Sequence, residues 1–163
     1  MYTKTFDVRA MRTALSNIVE RFGPEYKPVS PDPDNTATCI YGMQVDGVLT
    51  PVCLIGTLFS DLGYLGLLIK SDPTLGFAEF DGSTCSSGEA LWGNLASVGI
   101  DTTEDAQWFA RSAQYGQDNS LTWRQALAYA DALYLHREAS KAHEAIGSTN
   151  PAFTPAVGDF SDY

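Results

Sequence analysis

Three cysteines and two histidines are the residues of this chain best suited to nucleophilic or metal chemistry. Cys39 and Cys53 are 14 positions apart and Cys85 follows later, whereas zinc sites usually take ligands from closely spaced pairs. His136 and His143 lie seven residues apart near the end of the last predicted helix, which puts them two turns apart and too distant for one metal ion. We therefore predict no metal or other cofactor, and interpret the cysteines as small buried apolar groups.

Cys53 has a second interpretation, because it lies near the predicted start of a helix. A thiol in that position can become acidic and act as a nucleophile. No histidine precedes His136, so the general base of such an enzyme would have to come from the last helix. The glycines match neither a phosphate-binding loop nor a dinucleotide fingerprint. No catalytic residues are therefore predicted, and a small enzyme with a Cys53 nucleophile ranks third among the hypotheses.

Carboxylates are the other candidates for chemistry. Glu79 and Asp81 lie in a Gly-rich stretch, whereas Glu104 and Asp105 fall in the first turn of a predicted helix, where the helix dipole favours them. The 163 residues carry a net charge of −10, and residues 28–120 hold twelve acidic residues against two basic ones. Such a chain is poorly suited to neutralise phosphates, so nucleic acid is not expected as a partner. The acidic residues form either a solvated surface or a face for a basic partner protein.

The chain also lacks the signals of a membrane or secreted protein. No stretch approaches the ~18 consecutive apolar residues of a membrane span, and the first residues contain no apolar signal-peptide core. Three cysteines do not suit a disulfide framework. We expect no membrane partner and a cytoplasmic location.

The elements that must position these residues are mostly helical. Asp7 caps the first predicted helix, flanked by Phe6 and Met11 at the spacing of a hydrophobic staple. Asp46-Gly47 between β-favouring residues predicts a hairpin turn. Leu65–Ile69 is either a buried strand or a helical turn.

Four further helices follow the hairpin. Thr50 is predicted as N-cap and Pro51 as first residue of the next helix, and Ser86, Thr102 and Thr122 are predicted to cap the other three. The last helix has six predicted apolar positions: Trp123, Ala126, Leu127, Ala130, Leu133 and Leu135. The predicted fold is α+β and mostly helical, with about five helices and one small antiparallel β-hairpin. A single domain covers residues 1–147, and residues 148–163 are a disordered tail.

The tail combines apolar anchors with acidic residues. Aromatic residues spaced through a polar segment can order on a partner that offers a groove both apolar and basic. Together with the Gly-rich carboxylates they make up the predicted binding residues: Glu79, Asp81, Phe153, Asp159, Phe160, Asp162 and Tyr163.

A sequence pattern extends over most of the chain: C-x-Y, a turn, P-x-C-L-x-G, and later Q-x-x-Q-D and T-W-x-x-A-L. It is formed here by Cys39, Tyr41, Pro51, Cys53, Leu54, Gly56, Leu62, Gly63, Gln114, Gln117, Asp118, Thr122, Trp123, Ala126 and Leu127. The pattern resembles that of small proteins found widely in actinobacterial phages, and the likeness covers about residues 6–135. Residues 64–85 and the tail depart from it.

The resemblance implies a phage accessory protein that acts in the host cytoplasm. The leading hypothesis is a non-enzymatic binding module for a host component, and its partner is a host or phage protein with a basic surface. The alternative is a structural or assembly protein of the virion that docks through its tail.

Overall fold

The computed structural model describes residues 4–27, 40–68, 70–71, 77–79 and 89–145. Within these residues the chain forms five α-helices, which confirms the predicted α+β, mostly helical class. The elements are β1 (Lys4–Phe6), α1 (Val8–Phe22), β2 (Ile40–Val45), β3 (Val48–Pro51), α2 (Leu54–Asp61), a 3₁₀ turn (Leu65–Leu68), β4 (Lys70–Ser71), β5 (Phe77–Glu79), α3 (Glu89–Ser97), β6 (Ile100–Thr102), α4 (Glu104–Asp118) and α5 (Trp123–Ala145).

Local capping chemistry sets the start of α1 as predicted. The Asp7 carboxylate accepts a hydrogen bond from the Ala10 main-chain N–H at 2.8 Å, which satisfies one of the unpaired donors of the first turn. Phe6 and Met11 are both buried. The helix ends before Gly23, whose φ of 94° is in the left-handed region that favours glycine.

The predicted hairpin is present, but the helix after it begins later than predicted. Asp46 and Gly47 have φ values of 50° and 79°, as a type I′ turn requires. Pro51 is the last residue of β3, paired with Gly42. The prediction that Thr50 and Pro51 start a helix is wrong. Proline has no N–H to donate, so it is tolerated in β3, which is the edge strand of its sheet.

The β structure is more extensive than the single predicted hairpin. β5 and β4 join it in a four-stranded antiparallel sheet of order β3-β2-β5-β4. β1 pairs with β6 in a separate parallel pair, in which Lys4 lies opposite Ile100. Strands of two or three residues are too short to show a period-two pattern, so these pairings could not be predicted.

The helices enclose the main core. Met11, Leu15, Phe59, Phe109 and Trp123 are among its fully buried side chains. They come from α1, α2, α4 and α5, and Leu65 of the 3₁₀ turn is also buried. The ambiguous stretch at 65–69 is therefore a helical turn over its first four residues, Leu65–Leu68.

The ends of α4 and α5 depend on two threonine caps. Thr103 caps α4 by accepting from the Ala106 N–H at 3.3 Å, so the prediction of Thr102 as the cap is wrong by one residue. Thr102 is instead the last residue of β6. At the start of α5, the Thr122 N–H donates to Gln125 Oε1 at 2.9 Å. The Gln125 N–H donates to Thr122 Oγ1 at 3.2 Å, which confirms the predicted capping box.

Candidate functional site

Cys53 is the N-cap of α2. Its Sγ accepts a hydrogen bond from the Gly56 N–H at 3.2 Å, and its carbonyl oxygen accepts from the Thr57 N–H at 2.8 Å. The residue is 3% exposed and its thiol is free. The prediction of a buried, unbridged cysteine is confirmed for Cys53, and the thiol stabilises the start of a helix.

Gly56 allows α2 to lie directly on the main chain of β2. A Cβ atom at this position would lie 1.9 Å from the Tyr41 carbonyl oxygen. The same oxygen accepts a hydrogen bond from the Val52 N–H at 3.1 Å. Only glycine fits a contact this close, so the C-L-x-G part of the sequence pattern has a packing reason.

Gln117 links three helices through one oxygen atom. Its Oε1 accepts from the Leu54 N–H at the start of α2 and from Trp123 Nε1 of α5, both at 2.8 Å. Trp123 is 1% exposed, and its main-chain N–H donates to the Tyr26 carbonyl oxygen at 3.0 Å. The prediction of Trp123 as an apolar position of the last helix is confirmed, and its ring anchors the core.

Asp118 accepts from both glutamines of the pattern. Gln114 Nε2 donates to Asp118 Oδ1 at 2.7 Å, and Gln117 Nε2 donates to the same oxygen at 3.5 Å. Partial desolvation raises the pKa of Asp118, although the hydrogen bonds from Gln114 and Gln117 lower it. Gln117 and Asp118 both belong to the last turn of α4.

These contacts unite most of the pattern in one place, which we call the capping junction. Its members are Tyr41, Cys53, Leu54, Gly56, Gln114, Gln117, Asp118 and Trp123. Side-chain atoms cap helices and main chains approach closely, so the junction fixes α2, α4 and α5 relative to one another.

Of the predicted binding residues, only Glu79 lies in the described part of the protein, so the predicted binding site stays a prediction. Glu79 is the last residue of β5, where it is paired with Ile40 of β2 and with Lys70 of β4. Asp81, Phe153, Asp159, Phe160, Asp162 and Tyr163 lie outside the described residues, as do Cys39, Cys85 and the predicted cap Ser86.

The carboxylates at the start of α4 face basic residues near the end of α5. Arg137 Nη2 lies 3.1 Å from Glu104 Oε1 and 3.4 Å from Asp105 Oδ1, and Lys141 Nζ lies 3.0 Å from Asp105 Oδ1. The Arg137 guanidinium also lies 5.1 Å from the centroid of the Trp108 ring. These acidic residues therefore pair within the chain. Among the described residues, no group of three or more His, Cys, Asp or Glu side chains could hold a metal ion.

The surface of α5 that faces away from the core is apolar, which sequence reasoning missed. Leu135 was predicted to belong to the apolar set of this helix, but it is 69% exposed. It lies 12 residues beyond Trp123, which places it about 120° around the helix from that buried ring. We call this surface the outer face of α5, formed by Ala128, Ala132, Leu135, Ala139 and Ala142. Leu135, Ala139 and Ala142 are exposed, whereas Ala128 and Ala132 are half-buried against a small apolar cluster of the same end of the helix.

An exposed aromatic residue of α4 packs against α5. Tyr115 of α4 is 54% exposed, and its ring centroid lies 6.0 Å from that of Tyr129 of α5. Tyr129, Leu121 and Ala126 form a small apolar cluster separate from the main core. α5 is therefore apolar on two sides, and counting helical positions from Ala128 would have revealed the second one. No helix in the described ranges combines the length and apolarity needed to cross a membrane.

Comparison of the chain with protein-family models, with curated proteins and with solved structures finds no match. The surfaces described above are therefore the basis for inferring a function.

Proposed function

We propose that this protein is a non-enzymatic interaction module that binds another protein through the outer face of α5. The observation that carries the proposal is Leu135, which is 69% exposed in the middle of a helix whose opposite side packs in the core. Burying a leucine side chain completely is worth about 1.5–3 kcal/mol. A helix that faced only water would carry polar residues on this side, whereas here Ala132 and Ala139 lie on one side of Leu135, with Asp131 and Glu138 on the other.

The capping junction supports a binding role over a cysteine enzyme. The thiol of Cys53 accepts a hydrogen bond inside the core, and the amide oxygen of Gln117 is shared between Leu54 and Trp123. A junction of this kind holds a surface helix rigidly, and a rigid helix loses little entropy when it binds.

The sequence resemblance suggests the setting, which is a phage accessory protein that engages a host or phage protein in the host cytoplasm. A role in assembly of the virion is the alternative, favoured if the bound protein is a component of the phage particle.

Two matched alanine substitutions test the proposal. Ala139→Lys puts a charge on the outer face, and Ala96→Lys puts the same charge on an exposed position of α3. Tagged wild-type chain and both variants are isolated from phage-infected cells after brief chemical cross-linking, and proteins bound in stoichiometric amounts are quantified, including an untagged copy of the chain itself. We expect Ala96→Lys to retain the bound protein and Ala139→Lys to lose most of it, with equal melting temperatures. Equal retention by the two variants would contradict the proposal.

A further inference from the structure

We infer that the end of α4 binds a primary ammonium group, such as the end of a lysine side chain, between Gln114 and Asp118. This site goes beyond the proposed function, because it lies on α4 and does not use the outer face of α5. The inference starts from Gln114, which is 9% exposed and whose side-chain oxygen Oε1 has no hydrogen-bond partner among the described residues. A buried acceptor without a donor is unfavourable, and a bound N–H group would satisfy it.

Asp118 sets the orientation of the Gln114 amide. Gln114 Nε2 donates to Asp118 Oδ1 at 2.7 Å, whereas the opposite orientation would bring two acceptor oxygens together. Since the nitrogen and oxygen of an amide are about 2.2 Å apart, Gln114 Oε1 lies within about 5 Å of Asp118 Oδ1. One nitrogen atom at about 2.8 Å from each oxygen spans this separation. A single ammonium group can therefore donate to both residues.

Asp118 has no basic partner in the part of the chain that the structure describes, where no ion pair includes it. Arg111 is the only basic residue of α4, but it lies about two turns from Asp118 and is engaged in a separate interaction. Desolvation raises the pKa of Asp118, and the hydrogen bonds from Gln114 and Gln117 lower it. A cation would compensate the carboxylate charge directly.

The position of Asp118 in the helix also favours a cation. It is the last residue of α4, where the helix dipole places partial negative charge. The last turn of this helix, described in full, contains no basic residue. Residues 28–120 carry twelve acidic residues against two basic ones, so the surrounding field attracts positive charge.

The donor atoms of the site favour an ammonium group over a metal ion or a guanidinium. Ca²⁺ takes about six to eight oxygen ligands, whereas Gln114 and Asp118 offer one amide oxygen and one carboxylate. An ammonium group has three N–H donors, enough for both residues and one water molecule. A guanidinium is a wider, planar group. Because Gln114 Oε1 is buried, the narrower ammonium reaches it more easily.

Tyr115 provides an apolar surface for the chain that carries the ammonium group. It lies three residues before Asp118, so the two side chains are neighbours on the helix surface. The Tyr115 ring is 54% exposed and is supported by the ring of Tyr129, 6.0 Å away. The methylene groups of a lysine can lie on such a ring while its charged end extends further, and the face of the ring attracts a cation.

Titration of the isotopically labelled full-length chain with Nα-acetyl-lysine amide tests the site, because the side-chain NH₂ group of Gln114 gives its own NMR signal. Nα-acetyl-norleucine amide, which has the same carbon chain without the ammonium group, is the matched control ligand. We expect the lysine compound to shift the Gln114 signal saturably, with a dissociation constant on the order of 1 mM because the ion pair is partly solvated. The norleucine compound should leave the signal unchanged.

Two matched substitutions test the role of the carboxylate. Asp118→Asn should weaken binding of the lysine compound at least about tenfold. Asp101→Asn removes the same charge from an exposed residue of β6 and should weaken it less than about twofold. Equal weakening by the two variants would show only general attraction to an acidic protein and would overturn the inference. The absence of a saturable Gln114 shift, or an equal shift with the norleucine compound, would also overturn it.

Butylamine distinguishes the two sources of an ammonium group, since it carries the same charge on an alkyl chain without a peptide backbone. Weaker binding of butylamine than of the lysine compound would support the site and assign it to a lysine of a bound protein. Equal binding would support the site and assign it to a free alkylamine. Neither result depends on the outer face of α5, so the proposed function is tested separately.

Discussion

Gly56 of α2 lies so close to the main chain of β2 that Gly56→Ala should destabilise the fold severely. The added Cβ would lie 1.9 Å from the Tyr41 carbonyl oxygen and 2.8 Å from its carbonyl carbon. An ordinary contact of a Cβ atom is 3.4–4 Å, so α2 or β2 would have to move by more than about 1 Å in a close-packed interior.

That movement would also disturb the hydrogen bonds around the contact. The Tyr41 oxygen accepts from the Val52 N–H at 3.1 Å, and the Leu54 N–H is held by Gln117 at 2.8 Å. Overpacking typically costs about 1–3 kcal/mol, and each buried donor left unpaired costs about 1–3 kcal/mol. The better helix propensity of alanine offsets only about 1 kcal/mol of this destabilisation. We therefore expect Gly56→Ala to lower the free energy of unfolding by about 3–5 kcal/mol.

Gly93→Ala is the matched control, because Gly93 is an exposed residue of α3 with no atom within 4 Å of an added Cβ. There the same substitution should raise the free energy of unfolding by about 0.5–1 kcal/mol through helix propensity alone. Urea unfolding followed by circular dichroism measures both variants. A loss of less than about 1 kcal/mol for Gly56→Ala, with an unchanged denaturant slope, would refute the close approach of α2 to β2.

Four further predictions concern the capping junction and the tail. Trp123→Ala should lower the free energy of unfolding by about 3–5 kcal/mol, and a loss under about 1 kcal/mol in urea unfolding would mean that the ring is exposed. Gln117→Leu should lower the free energy of unfolding by about 2–4 kcal/mol, because the N–H groups of Leu54 and Trp123 lose their acceptor. In a double-mutant cycle, Gln117→Leu and Trp123→Ala together should cost less than the sum of the two single substitutions. Burial raises the pKa of Asp118 in the folded protein above its unfolded-chain pKa of 3.8. The stability that this carboxyl contributes is therefore fully present below pH 3.8, and it is lost as the pH rises through the folded-state pKa. Asp118→Asn, which keeps the accepting oxygen, should therefore be slightly more stable than wild type at pH 7. Melting curves near pH 3 should show no difference between the two proteins. A difference that persists at pH 3 would contradict the desolvation argument. A chain ending at Ile146 should melt within a few degrees of the full-length protein, whereas a drop of about ten degrees would show that the tail packs on its own domain.

Features that depend on residues within about four positions were predictable from the sequence. Asp7 caps α1, Asp46 and Gly47 form the hairpin turn, and Thr122 with Gln125 forms a capping box. In each case a side chain bonds a main-chain group three residues away, or a local φ value selects the residue type. Neighbouring chemistry of this kind is independent of the rest of the fold.

Features that depend on distant parts of the chain were decided only by the tertiary structure. Pro51 is compatible with a helix start and with an edge strand, and only its pairing with Gly42 of β2 shows that it belongs to a strand. Gln117 caps a helix that begins 63 residues earlier, and no local pattern reports such a contact. Leu135 fits an apolar helical set, yet the placement of α1 and α4 around α5 left it outside. A sequence shows which residues are apolar, but packing determines which side of a helix is covered and which remains for a partner.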